Sequence, residues 1–288
     1  MSQASQRFSR RDVMRGLAAA PLMFAGGISR RGVWYAGLAN LIQVMRVDGE
    51  TFEHRQSIES IRPAALTVHP NGRYLYAAND VAEHAGLSRG TVEAFAINAK
   101  MGTLTRIGKQ PLSLSATGPR GIAIAPNGGY LIVAAYEGGI YNALPIDGEG
   151  KLGSVSAIRK EVGAGAHPER QLSAHPHSVI FDRAGRYAIS SDLGCDWVSV
   201  WRVEKNRFTR VNRTRLAPGA GPGAIALDAD GKLLNIGHEM AGLVSTHRYS
   251  SETGEIGPAI RRSASESDVI KCKLPSGETP LSVAFLAS

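Results

Sequence analysis

"SAHPHSVIFDRAGRYAISSDLGCDW", residues 173–197, places His175 and His177 ahead of a short apolar-rich run, then the turn "DRAG", a second run, and Asp192 and Asp196. Runs this short, parted by a glycine-ended turn, read as a β-hairpin. In a hairpin the start of the first strand and the end of the second lie at the same end. His175, His177 and Asp192 are therefore expected as neighbours on one rim.

The same grammar recurs along the chain. "PAALTVHPNGRYLYAAND" starts at Pro63, "PRGIAIAPNGGYLIVAAYEGG" at Pro119, "PHSVIFDRAGRYAISSDLG" at Pro176 and "PGAIALDADGKLLNIGHE" at Pro222. A fifth start, "PLSVAFLAS", begins at Pro280, and the offsets between starts are 56, 57, 46 and 58 residues. The turns "HPNG", "APNG", "DRAG" and "DADG" end in glycine, as tight turns demand. A further strand often follows, as in "TVEAFAI" 91–97, "VSVWRV" 198–203 and "LVSTHRY" 243–249, and an opening half-copy reads "GVWYAGLANLIQVMRVD" at 32–48. Helical periodicity is nearly absent after residue 30. The pattern predicts an all-β chain, a β-propeller of four-stranded antiparallel blades; a β-sandwich is the alternative. An open propeller leaves an unpaired edge, which soluble proteins avoid. "PLSVAFLAS" is expected to begin another hairpin, so the chain either falls short at its C-terminus or closes with fewer blades.

The formal charge of +8 is concentrated at the N-terminus. Residues 1–31 carry Arg7, Arg10, Arg11, Arg15, Arg30 and Arg31 against Asp12, leaving 27 basic and 24 acidic residues beyond them. No basic stripe interleaved with aromatics remains, so nucleic acid is not an expected partner. "SRRDVMRGLAAAPLMFAGG", 9–27, has adjacent arginines ahead of a short apolar stretch, the form of a twin-arginine export signal. The domain reading is a leader or basic tail over 1–31 and a propeller over 32–288, placing the mature protein in the periplasm, with the cytoplasm as the alternative. No segment is apolar enough for stable membrane insertion. Cys195 and Cys272 give no disulfide framework and are read as free. Oligomeric state is not legible.

Applied to each copy, the hairpin rule brings Asn79 and Asp80, Tyr136 and Glu137, and His238 and Glu239 to the rim that holds His175, His177 and Asp192. Arg120, just before its strand, joins them. Carboxylates and imidazoles brought together serve general acid–base chemistry, and an arginine clamps an anionic group. Catalysis is assigned to His177, His175 and Glu239, and substrate contact to Arg120, Asp192, Asp80 and Glu137. Asp192 and Asp196 also suit a turn-capping role around Gly194. His69 falls at the opposite end of its hairpin and is read as structural, while for His167, in "GAGAHPER", reach to the rim is the lesser alternative. No metal or cofactor is assigned; oxygen ligands from several blades leave Ca²⁺ or Mg²⁺ as an alternative.

"HPHSVIFDRAGRYAISSDLGCDWVSVWRV", 175–203, resembles the signature of the lactonase family, the seven-bladed propellers that include cycloisomerase-type 6-phosphogluconolactonases and the fungal carboxymuconate cyclase. "GPRGIAIAPNGGYLIVAAYEGG", "VHPNGRYLYAAND" and "GVWYAG" are similar to the same family, and the resemblance runs over about 32–288. It implies hydrolysis of a sugar lactone, typically 6-phosphogluconolactone, with His177 or His175 paired to Glu239 and Arg120 on the anionic substrate; without a serine elbow or a Cys–His pair, the mechanism read from the residues is direct attack of water. Where the family has a "GPRH"-like segment this chain has Gly223 and Ala224, and the blade ending in Glu137 lacks the usual Asn-rich strand end. An exported member is expected to meet an unphosphorylated lactone. The alternatives are a muconolactone-type cycloisomerase and a non-catalytic exported propeller that binds a ligand or protein at the same face.

Overall fold

The computed structural model describes residues 7–9, 31–48, 51–204, 207–264 and 281–287. Most of the expected leader, and Cys272, lie outside the described residues. The described chain is built of antiparallel sheets. The second sheet runs β5 (Pro63–Val68), β6 (Tyr74–Asn79), β7 (Thr91–Ile97) and β8 (Leu104–Pro111), paired in chain order. The third runs β9 (Pro119–Ile124), β10 (Tyr130–Ala135), β11 (Ile140–Pro145) and β12 (Ala157–Lys160). The fourth runs β13 (Pro176–Phe181), β14 (Ala188–Asp192), β15 (Trp197–Glu204) and β16 (Arg207–Arg215), and the fifth β17 (Pro222–Leu227), β18 (Leu233–His238), β19 (Leu243–Tyr249) and β20 (Ile256–Ala264).

The first sheet is assembled from both ends of the chain. It contains β1 (Arg7–Ser9), β2 (Arg31–Gly37), β3 (Leu41–Asp48), β4 (Thr51–Glu59) and β21 (Ser282–Ala287), in the spatial order β21-β2-β3-β4-β1. The β21 strand of "PLSVAFLAS" pairs antiparallel with "RGVWYAG", Phe285 opposite Trp34, and supplies the inner strand that the opening half-copy lacks. The half-copy and the trailing start are parts of one blade. Inner strands β21, β5, β9, β13 and β17 follow one another side by side, and among the described residues no comparable packing joins β17 back to β21.

The repeated turns behave as their residues dictate. Gly72, Gly128, Gly185 and Gly231 sit at φ near +70°, where a side chain is disfavoured. Each donates its N–H to the carbonyl three residues back, to His69, Ala125, Asp182 and Asp228, at 2.7–3.1 Å. The second strands of the second and fourth sheets are wholly buried: every residue of "YLYAAN" and of "AISSD" is in the interior. Their alternating faces make the inter-sheet cores. Tyr76, Leu131 and Val133 fill the space between the second and third sheets, Tyr141, Trp201 and Phe208 that between the third and fourth, and Ile189, Val198 and Ile236 that between the fourth and fifth.

One irregularity matters for the site. Four inner strands, β5, β9, β13 and β17, break register just after their opening proline, between Pro63 and Ala65, Pro119 and Gly121, Pro176 and Ser178, and Pro222 and Ile225. A β-bulge turns the extra side chain away from the regular alternation. The extra residues are Ala64, Arg120, His177 and the pair Gly223–Ala224.

Candidate active site

Arg120 and His177 thus come from bulges on adjacent inner strands, and Glu239 follows the second strand of the next sheet. His177 Nε2 lies 3.4 Å from Glu239 Oε2, and the Arg170 guanidinium lies 2.5 Å from Glu239 Oε1. The His177 imidazole first, and Arg170 with it, hold the Glu239 carboxyl down at about 2 against the opposing effect of burial. An ionised carboxylate only accepts, so a His177 hydrogen sits on Nε2. His177 Nδ1 is buried and has no hydrogen-bond partner among the described residues. Gly223 leaves the room for this pair: a Cβ there would lie 3.4 Å from Glu239 Oε2 and 3.6 Å from His177 Cε1.

His175 is held differently. Its Nδ1 faces the Tyr136 carbonyl at 3.1 Å, its backbone N–H donates to Asp192 Oδ1 at 2.8 Å, and its ring stacks on Tyr136 with centroids 4.5 Å apart. Tyr136 also meets His177, edge-on at 5.9 Å, Arg120, whose Cζ lies 4.3 Å from the ring centroid, and Arg170. Arg120 also faces Glu137 at 3.7 Å and Asp80 at 4.0 Å, longer than the usual 2.7–2.9 Å of a charge-assisted bond. Asp80 is more tightly engaged by Arg62, at 2.7 Å. Gly118, at φ +60°, makes space for Glu137 and Asp80, since a Cβ there would meet Glu137 Cγ at 2.5 Å.

Asp192 faces inward, with 3% of its surface exposed. Its Oδ1 accepts the backbone N–H groups of His175 and Cys195, and burial pushes its carboxyl up to about 6. It shapes the turn that carries His175. Cys195 is a free, buried thiol, pushed up to about 12 by that burial and by Asp192. Asp196, at φ +55°, holds two segments of the rim: it accepts from Gln171 Nε2 and from the Gly221 N–H at 2.8 Å each. Gln171 follows Arg170, and the Gly221 carbonyl accepts the Glu239 N–H at 2.9 Å. The "DLGCDW" stretch is thus the frame on which Arg170 and Glu239 are set.

His69 lies at the other end of its hairpin, bonded to the Gly128 carbonyl and to the Asn71 N–H. His167 caps its own loop, accepting from the Glu169 and Arg170 N–H groups at 3.2 Å, and lines a cavity of about 410 Å³ with Arg170, Glu239 and Met240. Among the described residues no set of three or more His, Cys, Asp or Glu side chains is placed to hold a metal ion. The sequence reading brought His177, Glu239, Arg120, Asp80 and Glu137 to this rim, and the structure puts them there. It missed Tyr136 as the shared ring surface, Arg170 and Arg62. Arg170 had a weak signal, since it ends the "GAGAHPER" loop, for which reach to the rim was the lesser alternative.

Residues 30–273 match the family described as lactonase, seven-bladed β-propeller. The chain belongs to the lactonase family. A 6-phosphogluconolactonase of Bacillus subtilis is 25% identical over 193 residues, 67% of this chain and 53% of that protein. An uncharacterised protein of Staphylococcus epidermidis is 30% identical over 221 residues, 75% of this chain and 59% of the relative. The chain therefore spans between half and three-fifths of the length of these relatives. Among solved structures, a periplasmic gluconolactonase of Pseudomonas aeruginosa aligns with TM-score 0.72 at 25% identity, covering 81% of this chain and 68% of that one. A second structure, from Bacteroides fragilis, aligns with TM-score 0.74 at 24% identity over 84% and 70% of the two chains, and attests the fold.

Proposed function

We propose that this lactonase-family chain hydrolyses a small sugar lactone to the open acid, with the His177–Glu239 pair as its acid–base centre. The observation that carries the reading is that pair: an imidazole N–H facing an ionised carboxylate across 3.4 Å, on the rim where Arg120 and Arg170 also gather.

The protonation states assign the steps. Glu239 Oε2 accepts a hydrogen bond from water and takes its proton as the oxygen attacks the lactone carbonyl carbon. Arg120, only loosely paired, stabilises the oxyanion that forms. The ring C–O bond then breaks, and the imidazolium form of His177 protonates the departing ring oxygen from Nε2, leaving a neutral ring. Transfer of the proton from Glu239 to His177 across their contact restores the pair. A carboxyl held near 2 is a weak base, which suits an activated ester such as a lactone and explains why the imidazole donor has to share the work.

The kinship to a periplasmic gluconolactonase supports an unphosphorylated gluconolactone as the substrate and export as the fate of the chain. The Bacillus relative supports the phosphorylated lactone instead. Hydrolysis of both lactones by purified protein, followed by proton release, separates the two. A faster rate with gluconolactone supports the exported reading, and preference for the 6-phosphate supports the other.

A further inference from the structure

A second cluster lies behind Glu239, on the face of the fifth sheet that packs against the fourth. Ser245 Oγ lies 2.7 Å from His238 Nε2 and 2.8 Å from His247 Nε2, and His247 Nδ1 lies 2.9 Å from the Gly257 carbonyl. That carbonyl only accepts, so Nδ1 carries the hydrogen and Nε2 of the neutral ring is a lone pair. Ser245 O–H therefore donates to His247 Nε2, and Ser245 Oγ accepts from His238 Nε2–H. The chain of donors has one direction, and it ends on a base.

Ser245, His238 and His247 line one cavity of about 230 Å³ together with Arg262. Arg262 is the partner of Ser245 in the β19–β20 ladder, so both project to the same face. Burial, helped by His247 and Arg262, holds His238 down at about 4, which keeps it a neutral donor. The corresponding positions in the second sheet hold Asn79 and Glu93, which close a buried network with Ser60. The fifth sheet replaces that carboxylate with a hydroxyl and that amide with an imidazole, and adds the second imidazole.

We propose that Ser245 is a nucleophile in a second reactive site, acylated by small carboxylic esters that fit this cavity. Ser245 Oγ attacks the ester carbonyl and gives its proton to His247 Nε2, while Arg262 faces the oxyanion. The ester C–O bond breaks, the alcohol leaves with the proton from His247, and an acyl group remains on Ser245. Water, deprotonated by His247, then releases the acid and restores the hydroxyl. This route is covalent, unlike the direct attack of water at the rim, and it does not depend on His177 or Glu239.

The test is reaction of the full chain with a fluorophosphonate, which forms an Oγ–P bond as fluoride departs, with the adduct mapped by peptide mass spectrometry. Labelling of Ser245 in the folded protein, retained in His177→Ala and slowed about 100-fold in His247→Gln, is the expected result. His247→Gln is compared only where its melt remains cooperative; should it unfold, loss of the wild-type label on prior denaturation takes its place. An unlabelled Ser245 in folded protein, or labelling equally fast after denaturation or in folded His247→Gln, overturns the proposal.

Discussion

Tyr136 lies flat against His175, their ring centroids 4.5 Å apart and their planes 15° from parallel. The same tyrosine meets His177 edge-on and sits beneath Arg120. One aromatic side chain therefore sets the spacing between a candidate anion contact from the third sheet and a candidate acid from the fourth. Replacing it with leucine keeps the apolar bulk and removes the flat face. Tyr136→Leu is expected to raise KM for the lactone more than it lowers kcat, because Arg120 loses its support while the His177–Glu239 contact remains. Steady-state kinetics on both parameters checks this.

Arg170 and His177 keep Glu239 ionised. Without Arg170, the Glu239 carboxyl rises from about 2 towards its ordinary value, since one of the groups depressing it is gone. Activity in Arg170→Ala should therefore fall at a higher pH on the acid side than in the unmodified protein. The pH profile of kcat/KM reads the shift directly, and an unmoved acid limb would detach Arg170 from the site.

Asp192 makes a prediction about stability. Its folded value of about 6 lies above the ordinary 3.8, chiefly through burial, so folding favours the protonated form. The stabilisation is complete below about pH 4 and is lost as pH rises through 6. A shift of this size corresponds to about 3 kcal/mol at most. Asp192→Asn keeps an oxygen for the His175 and Cys195 N–H groups and removes the titration. Thermal melts between pH 4 and 7 should show a sloping Tm in the unmodified protein and a flatter one in the variant.

The strand β21 tests how the first sheet is closed. It pairs with β2 along its whole length, and the Ser282 hydroxyl donates to the Pro63 carbonyl at 2.5 Å, tying it to the second sheet. A chain ending at residue 280 is expected to lose Tm or cooperativity, measured by calorimetry, because it leaves the β2 edge and the Trp34–Phe285 contact open.

Much of this architecture was legible because the turns repeat. "HPNG", "APNG", "DRAG" and "DADG" each need a glycine in a left-handed conformation, and that need is written in the sequence. The hairpin rule then placed His177, Arg120 and Glu239 at one rim without any long-range information. Two things were hidden. The pairing of β21 with β2 joins residues about 250 apart, and no local pattern records which edge a lone strand will seek. The division between His175 and His177 depends on a bulge that turns His177 to the rim while leaving His175 to Tyr136 and Asp192, and bulge register is set by packing between sheets. Asp196 was read as a turn cap; its hold on Gln171 and Gly221 comes from loops 25 residues away on either side.

The most direct test of the central claim is lactone hydrolysis by the purified protein beside His177→Ala and Glu239→Gln, followed by proton release with gluconolactone and its 6-phosphate. Hydrolysis above the spontaneous rate, reduced about 10²–10⁴-fold in either variant with the melt unchanged, is the predicted result. A rate no better than the spontaneous one from a cooperatively folded protein, or full activity in both variants, would contradict it.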